Sequence, residues 1–394
     1  MEAVTDVVFR HVVKQAGVPD VFFTEFANAT GWVHAGDKAI AGRLIKTDDE
    51  HPLVAQIWGG EPGDMEQFAA HCARLGFDGI DINMGCPAKS AIKSGGAALI
   101  RRPDVAVAAI AAAKTAGLPV SVKTRLGYTY IDEWREWLGT LLAQDLANLT
   151  IHLRTKKEMS KVPAHYELID DIIALRDDIA PQTLLTINGD IRNRTHGEKL
   201  ARQHPGLNGI MIGRGIFSDP FCFRASRAVS QKKSGQLYVG PGLFSDDTRE
   251  MGNTYAKLGA VDCSRIVNTP AERSRSISSG DASEKSTPVR ERGAGDADFA
   301  DGVREASEAT RKEHSEGAEL SITTRKTELI ALLHYHLDLF DHYQPTLGRP
   351  FETLKRFFKI YIRDFDGAKE LREKLMHTKN TSEARQILEE IQYL

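Results

Sequence analysis

The chain has 394 residues, of which 41% are hydrophobic and 27% charged, with a formal net charge of −3. That composition belongs to a globular protein with room for two or three domains of about 150 residues each, and it excludes collagen-like, filamentous and wholly disordered chains. No apolar run reaches the roughly 18 residues that a membrane span needs, and the opening MEAVTDVVFR lacks the order of a signal peptide, so a cytoplasmic protein with no membrane partner is expected.

Up to about Phe223, short β-branched or apolar runs alternate with longer helical patterns, the rhythm of βα units. A helix-like stretch from Thr5 to Gly17 comes first. The predicted strands follow at Val21–Phe26, Pro52–Trp58, Gly79–Asn83, Pro119–Thr124, Leu149–Leu153, Thr183–Gly189 and Gly209–Gly213. Between them, Asp64–Leu75 places Met65, Phe68, Ala69 and Cys72 on one stripe, and Pro103–Ala116 opens with a proline suited to a first helical turn. Parallel strands covered on both faces build either an open doubly wound sheet or a closed barrel. Neither GxGxxG nor GxxxxGK[ST] occurs, which disfavours the open nucleotide-binding sheets. The expected fold is an α/β barrel of the TIM (β/α)8 type lacking its first strand, because only a helix precedes Val21. Either the chain begins late, the preferred explanation, or another segment closes the barrel.

The barrel is assigned to residues 1–229. Residues 230–324 are rich in Ser, Gly, Asp, Glu, Lys and Arg and poor in apolar anchors, so a low-complexity, disordered insertion is expected. From 325 to 394 four amphipathic helices return at Thr327–Tyr343, Phe351–Phe365, Ala368–Thr378 and Thr381–Gln392, the last with a Thr cap, and make a small all-α domain.

In a parallel barrel the residues at the carboxyl ends of the strands face the active site. Gln56, Asn83, Lys123, His152, Asn188 and Arg214 are polar or charged and stand at the ends of six consecutive apolar runs. Any one of them alone is more often a surface or capping group; recurrence in corresponding places points to a site. Cys86 follows a strand end in the turn of DINMGCPAKS, stiffened by Pro87, rather than lying in an apolar stripe where a free cysteine would pack as a small hydrophobe. The glycines of the following KSGGAAL suit a closing loop or an ordinary turn. TINGDI and IGRGIF end the last two strands, where barrels hold phosphate on glycine amides, and Arg214 adds a guanidinium. The cysteines Cys72, Cys86, Cys222 and Cys263 are widely separated with no CxxC pair, so neither a metal site nor a disulfide framework is expected.

These motifs, in this order, resemble the tRNA-dihydrouridine synthases, a family of flavin-dependent barrel enzymes. MEAVTD, VAQIWG, DINMGCP, SVKTRLG, IHLRT, INGDI and GRGIF carry the likeness over the first 225 residues or so, and RPFETLKRFFKIYIRDFDGAKELREKL resembles the family's helical tRNA-binding domain. The resemblance implies FMN as cofactor, NADPH (or NADH) as electron donor, and tRNA as partner of a monomeric enzyme that reduces uridine to 5,6-dihydrouridine. It implies contacts to the flavin ring from Gln56, Lys123 and His152, and to the ribityl chain and phosphate from Asn188, Gly189, Asp190, Gly213 and Arg214. Cys86 is then the catalytic acid, with Asn83 and Arg154 on the substrate side. Met1 is all that remains of the Ala-Pro-Met with which the family's first strand ends. In the tail, Lys355, Arg356, Lys359 and Arg363 recur at near-helical spacing and would neutralise phosphates, with Phe357, Phe358 and Tyr361 packing on the other side. Two alternatives stay open: an FMN-dependent reductase of a free pyrimidine or small enone, and a non-catalytic RNA-binding relic.

Overall fold

A computed structural model describes residues 1, 4–40, 42–224 and 325–392; the expected insertion at 230–324 lies outside the described residues. Helix α1 (Val7–Ala16) leads into two very short strands, β1 (Phe22–Phe23) and β2 (Ala27–Asn28), and then into helices α2 (Ala29–Ala35) and α3 (Asp37–Ile40). The βα alternation follows as β3 (Leu53–Trp58), α4 (Pro62–Arg74), β4 (Gly79–Asn83), α5 (Pro103–Lys114), β5 (Val120–Arg125) and α6 (Trp134–Leu142). It continues through β6 (Asn148–His152), α7 (Ile169–Ile179), β7 (Leu184–Asn188), α8 (Arg194–Gln203), β8 (Gly209–Met211) and the one-turn α9 (Gly215–Ser218).

All strand pairings are parallel, in the order β1-β3-β4-β5-β6-β7-β8, with β2 also on β3. The expected strand Val21–Phe26 is thus two fragments along one edge of β3, separated by Thr24, Glu25 and Phe26. Within the break the chain stays tied to β3, because Thr24 Oγ1 accepts the Gln56 amide at 3.0 Å. Among the described residues no pairing joins β8 to β1, and this open seam is where a first strand would stand. The fold is a TIM-like parallel half-barrel lacking one strand, followed by a helical carboxyl-terminal region.

Alternation along the strands separates two environments. Leu53, Ala55, Ile57, Ile80, Ile82, Val122, Leu149, Ile151, Leu185 and Ile187 are fully buried or nearly so, and share one core with Met65, Phe68, Ala109, Leu138, Leu141 and Ile172 of the surrounding helices. The other face carries polar side chains, described below.

A second core lies at the seam. The apolar face of α1 (Val8, Phe9, Val12) packs with Ile216, Phe221 and the tail helices α10 (325–347), α11 (Glu352–Tyr361), α12 (Ala368–His377) and α13 (Thr381–Gln392). Phe9 and Phe357 rings meet at 4.7 Å between centroids, and buried His336 Nδ1 lies 2.7 Å from Tyr361 Oη. Burial pushes His336 down to about 3, so it is neutral in that core. Phe22 and Ile212, on the two sides of the open seam, touch both cores. The described residues of Met1–Arg249 and Leu329–Leu394 accordingly form one compact unit.

The expected Thr cap of the last helix is replaced by its neighbour: Asn380 Oδ1 accepts the Glu383 amide at 2.8 Å while Glu383 reaches back to the Lys379 amide. Thr381 instead donates to Asp341 at 2.8 Å, a partner on α10 that only tertiary packing supplies. Among the described residues no helix is long and apolar enough to cross a membrane.

The loop before β3 is fastened to α1 by a buried ion pair. Arg10 Nε meets Glu50 Oε1 at 2.5 Å, both side chains are 2% exposed, and the remaining guanidinium nitrogens donate to the Thr5 and Ile45 carbonyls. Removing one member of such a pair strands a buried charge, at a typical cost of about 3–5 kcal/mol. We expect Arg10→Met to lower unfolding stability by that order in urea titrations, and Arg10→Met with Glu50→Leu to recover part of the loss.

Candidate active site

The strand registers set polar side chains into three levels on the face turned away from the helices. Gln56, Asp81, Ser121 and Asn148 are paired across neighbouring strands, then Asn83, Lys123, Thr150 and Thr186, then Arg125, His152 and Asn188. Because side chains repeat every two residues, each level lies one pleat further toward the carboxyl ends.

In the first level Asp81 is fully buried and accepts Gln56 Nε2 and Ser121 Oγ, both at 2.7 Å. Burial raises its pKa against those hydrogen bonds and the pull of Lys123. Gln56 in turn accepts Asn83 Nδ2 at 3.2 Å. Asn83 Oδ1 then accepts the backbone amides of Gly85 at 3.1 Å and Cys86 at 2.9 Å, an Asx turn that fixes the loop leaving β4. The thiol of Cys86 is half-buried at that turn. Its loop is clamped from behind: the Cys86 carbonyl accepts the Ala97 amide at 3.0 Å, and Gly96 has φ +56° with no room for a Cβ against that carbonyl. Buried Cys72 and Cys222, by contrast, have thiols pushed up to about 12 by desolvation and belong to the two cores.

The Lys123 carbonyl accepts the Met84 amide at 2.8 Å, while its ammonium makes no hydrogen bond or ion pair among the described residues. Burial and the charge of Arg125 bring it down to about 8, while Asp81 and Cys86 pull the other way. Arg125, which the strand-end reading passed over, is buried, donates to the Gly85 carbonyl at 2.7 Å, and braces the next loop through the Thr155 and Met159 carbonyls. Its signal was present in the sequence as a charge two residues beyond Lys123 on the same strand face.

His152 lies between these cations. Burial, then Lys123, Arg125, Arg154 and Arg214, push its imidazole down to about 2. Arg154 Nη1 approaches His152 Nε2 at 3.1 Å, and since a guanidinium only donates, Nε2 accepts and the ring proton sits on Nδ1. Arg154 is itself buried, with Nε on the Val162 carbonyl at 2.6 Å and Nη2 on Asp190. It therefore acts by orienting His152 and Asp190.

The loop after β7 takes unusual backbone angles: Gly189 at φ +123° and Asp190 at φ +52°. A Cβ at Gly189 would press on Ala164 and the His152 ring at 3.1–3.2 Å. Asp190 is held below the ordinary carboxylate range by Arg154, and it accepts the Ala164 amide at 3.0 Å. Asn188 Nδ2 donates to the Met211 carbonyl at 2.7 Å, tying β7 to β8. Past β8, a Cβ on Gly213 would meet only Asn188 at 3.6 Å, and the exposed Arg214 side chain comes no nearer to Asp190 than 4.0 Å. Met1 sits elsewhere, against the second core, its carbonyl accepting the Val4 and Thr5 amides at 3.2 Å.

Lys123, Arg125, His152, Arg154 and Arg214 thus converge around one electrostatic centre, with Asn83 and Cys86 on the adjoining turn. Four cations face the carboxylates of Asp81, Glu158 and Asp190 there, and the Lys123 ammonium and Arg214 guanidinium are the least engaged of them. That donor set fits a phosphate-bearing, acceptor-rich cofactor such as a flavin mononucleotide. Among the described residues no group of three His, Cys, Asp or Glu side chains is placed to hold a metal.

On the tail, Phe357, Phe358 and Tyr361 are buried on one side of α11, while Arg356 and Lys359 are exposed and Lys355 is half-exposed on the other. Arg363 is tied to Asp364 and to the Ser218 carbonyl.

A half-barrel with a cationic, hydrogen-bonding centre at its strand ends is the framework of a cofactor-dependent enzyme. The family model for dihydrouridine synthase matches residues 1–243. A probable tRNA-dihydrouridine synthase 2 of Bacillus subtilis strain 168 is 44% identical over the whole chain and 92% of the relative's length. A probable tRNA-dihydrouridine synthase of Staphylococcus aureus strain Mu50 is 42% identical over the whole chain and 91% of its own length. One of Staphylococcus epidermidis strain RP62A is 42% identical over 99% of this chain and 91% of its own. The chain belongs to the dihydrouridine synthase family, whose members are flavin-dependent oxidoreductases.

The depressed His152 value has a consequence for stability. The unfolded chain binds a proton near the ordinary histidine value of about 6.5 that the folded site refuses until about 2, so this residue's contribution is intact above 6.5 and declines as pH falls below it. We expect 15N-resolved ring signals of His152 to stay in the neutral Nδ1–H form from pH 8 to 5. His152→Gln should flatten the acid side of the stability profile by at most about 1.4 kcal/mol per pH unit.

Proposed function

We propose that the protein reduces the C5=C6 bond of uridines in tRNA to 5,6-dihydrouridine, using FMN that NADPH (or NADH) has reduced, with Cys86 as proton donor. The observation that carries the reading is the convergence of Lys123, His152, Asn188 and Arg214 beside a half-exposed cysteine on a turn fixed by Asn83, in a chain of this family.

Reduced FMN, when bound, supplies the hydride that adds at C6 of the uracil. Gln56, Lys123 and His152 would hold the ring, and Asn188, Gly189, Gly213 and Arg214 the ribityl chain and phosphate, with Asp190 acting through Arg154. The C5=C6 bond is conjugated to the C4 carbonyl, so addition at C6 leaves an enolate that needs a proton at C5. Cys86 Sγ is the group that delivers it, on a backbone that Asn83 and Gly96 prevent from drifting. Lys123, whose ammonium no protein group hydrogen-bonds, would offset negative charge in the centre.

Support for a folded RNA rather than a free pyrimidine comes from Arg356 and Lys359, which project from an α11 whose opposite face is already consumed by the core. The names of the Bacillus and Staphylococcus relatives point the same way. Because the tail helices share a core with α1, removing them would unfold more than an RNA-binding face. Substitution at the surface is the cleaner probe.

Cys86→Ala should retain bound flavin absorbance yet lower dihydrouridine formation by about 10²- to 10⁴-fold, read by mass spectrometry of tRNA; wild-type turnover in that variant would remove Cys86 from the mechanism. Lys355→Ala with Lys359→Ala should weaken tRNA binding and lower the slope of log affinity on log salt by about 1.4–1.8, without altering flavin content. A purified chain that stays colourless on incubation with FMN would instead favour the non-catalytic reading.

A further inference from the structure

The β5–α6 loop presents a feature that the chemistry above leaves unused. Residues Tyr128, Thr129 and Tyr130 direct three successive backbone amides at the Glu133 carboxylate, at 2.6–3.3 Å. Gly127 has no room for a Cβ, which would lie 2.6 Å from the Tyr130 carbonyl. The loop is therefore held in one shape, yet Tyr130 is 65% exposed and its neighbour Ile131 36%. The Tyr130 ring is thus held outward on a rigid support, where it is accessible to a flat ligand.

Cations surround it. The Arg101 guanidinium lies 3.8 Å from the Tyr128 ring centroid and the Lys156 ammonium 4.8 Å, while Lys157 stands 5.6 Å from the Tyr130 ring. Arg101 also donates to Thr129 at 3.2 Å. Glu133 is occupied by the amides, which leaves Asp132 as the loop's exposed carboxylate against Arg101, Lys156 and Lys157. Aromatic faces interleaved with positive charge are the elements that hold unstacked nucleotides: the rings take bases and the cations take phosphates.

The position strengthens the case. Lys156 and Lys157 amides donate to the Gly127 and Tyr128 carbonyls at 2.8 and 2.9 Å, so the shelf continues the β5–β6 pairing beyond the strand ends. One guanidinium joins it to the Cys86 turn, since Arg125 donates both to Gly85 and to the Thr155 and Met159 carbonyls. A base drawn to Cys86 leaves its neighbours without stacking partners, at a cost of about a few kcal/mol. A ring on a rigid loop that Arg125 links to the Cys86 turn offsets part of it.

We propose that the Tyr128–Tyr130 loop, with Arg101, Lys156 and Lys157, is a stacking shelf for the RNA nucleotides flanking the target uridine. The proposal rests on tRNA being the substrate, as argued above, and adds a binding surface on the barrel itself, separate from the tail helices.

The test uses the full chain and an unmodified in vitro tRNA transcript. Tyr130→Ala should raise the transcript's Kd about tenfold, the loss of one base–aromatic stack, and Tyr130→Phe should restore it. Lys157→Ala should lower the slope of log affinity on log salt by about 0.7. Flavin absorbance and thermal midpoint should stay at parental values in all three. Parental Kd in Tyr130→Ala together with a parental salt slope in Lys157→Ala would overturn the shelf. A parent chain that binds the transcript but forms no dihydrouridine would defeat the proposed reaction alone, the shelf still standing or falling on the binding data; a parent that does not bind it would defeat both.

Discussion

Parallel strand register is the constraint on which the site depends. Pairing Gln56 with Asp81, Asn83 with Lys123, and Arg125 with His152 and then Asn188 brings polar side chains from five strands onto one face at matched heights. A slip of one residue in any strand would send its polar groups into the helix layer and its Ile, Leu and Val side chains into the site. The apolar core and the polar centre are thus two consequences of one hydrogen-bond ladder. Helix packing against Ile80, Ile82, Val122 and Ile151 is what holds the register.

Electrostatics then divides roles among chemically similar groups. Burial keeps His152 neutral, and Lys123, Arg125, Arg154 and Arg214 add to it, but these cations are not equivalent. Arg125 and Arg154 use their guanidinium forks to brace carbonyls and a carboxylate, so they are part of the framework. Lys123 and Arg214 have no such close engagements, the Arg214 contact to Asp190 being 4.0 Å. Asn83 follows the same logic: its amide secures the Cys86 turn, and its influence on the thiol is positional.

The open seam between β8 and β1 is bordered by a second core that joins α1 to the tail helices. Phe22 and Ile212 contact both cores, and Arg349, in the link between α10 and α11, ties Asp6 and Glu25 together by paired ion contacts. The helices that display Arg356 and Lys359 are therefore anchored at the barrel's edge rather than tethered at a distance, and the basic face of α11 has a fixed place on the molecule.

Much of this was legible in residue order. Period-two alternation, Gly and Asn at strand ends, and amphipathic spacing are local properties, so the half-barrel, the strand runs from Pro52 onward, the four tail helices and the polar strand ends could be read directly, and Cys86 stood out because it falls in a turn. Interactions between distant segments left no such trace. The break within Val21–Phe26 depends on how that edge lies along β3, the cap at Asn380 rather than Thr381 on a carboxylate of α10, and the neutrality of His152 on its burial and then on four cations from β5, the loop after β6 and the turn after β8. Sequence specifies which groups are available and on which side of a strand they stand. Only the folded chain decides which of them meet, because burial and charge act across space and not along the backbone.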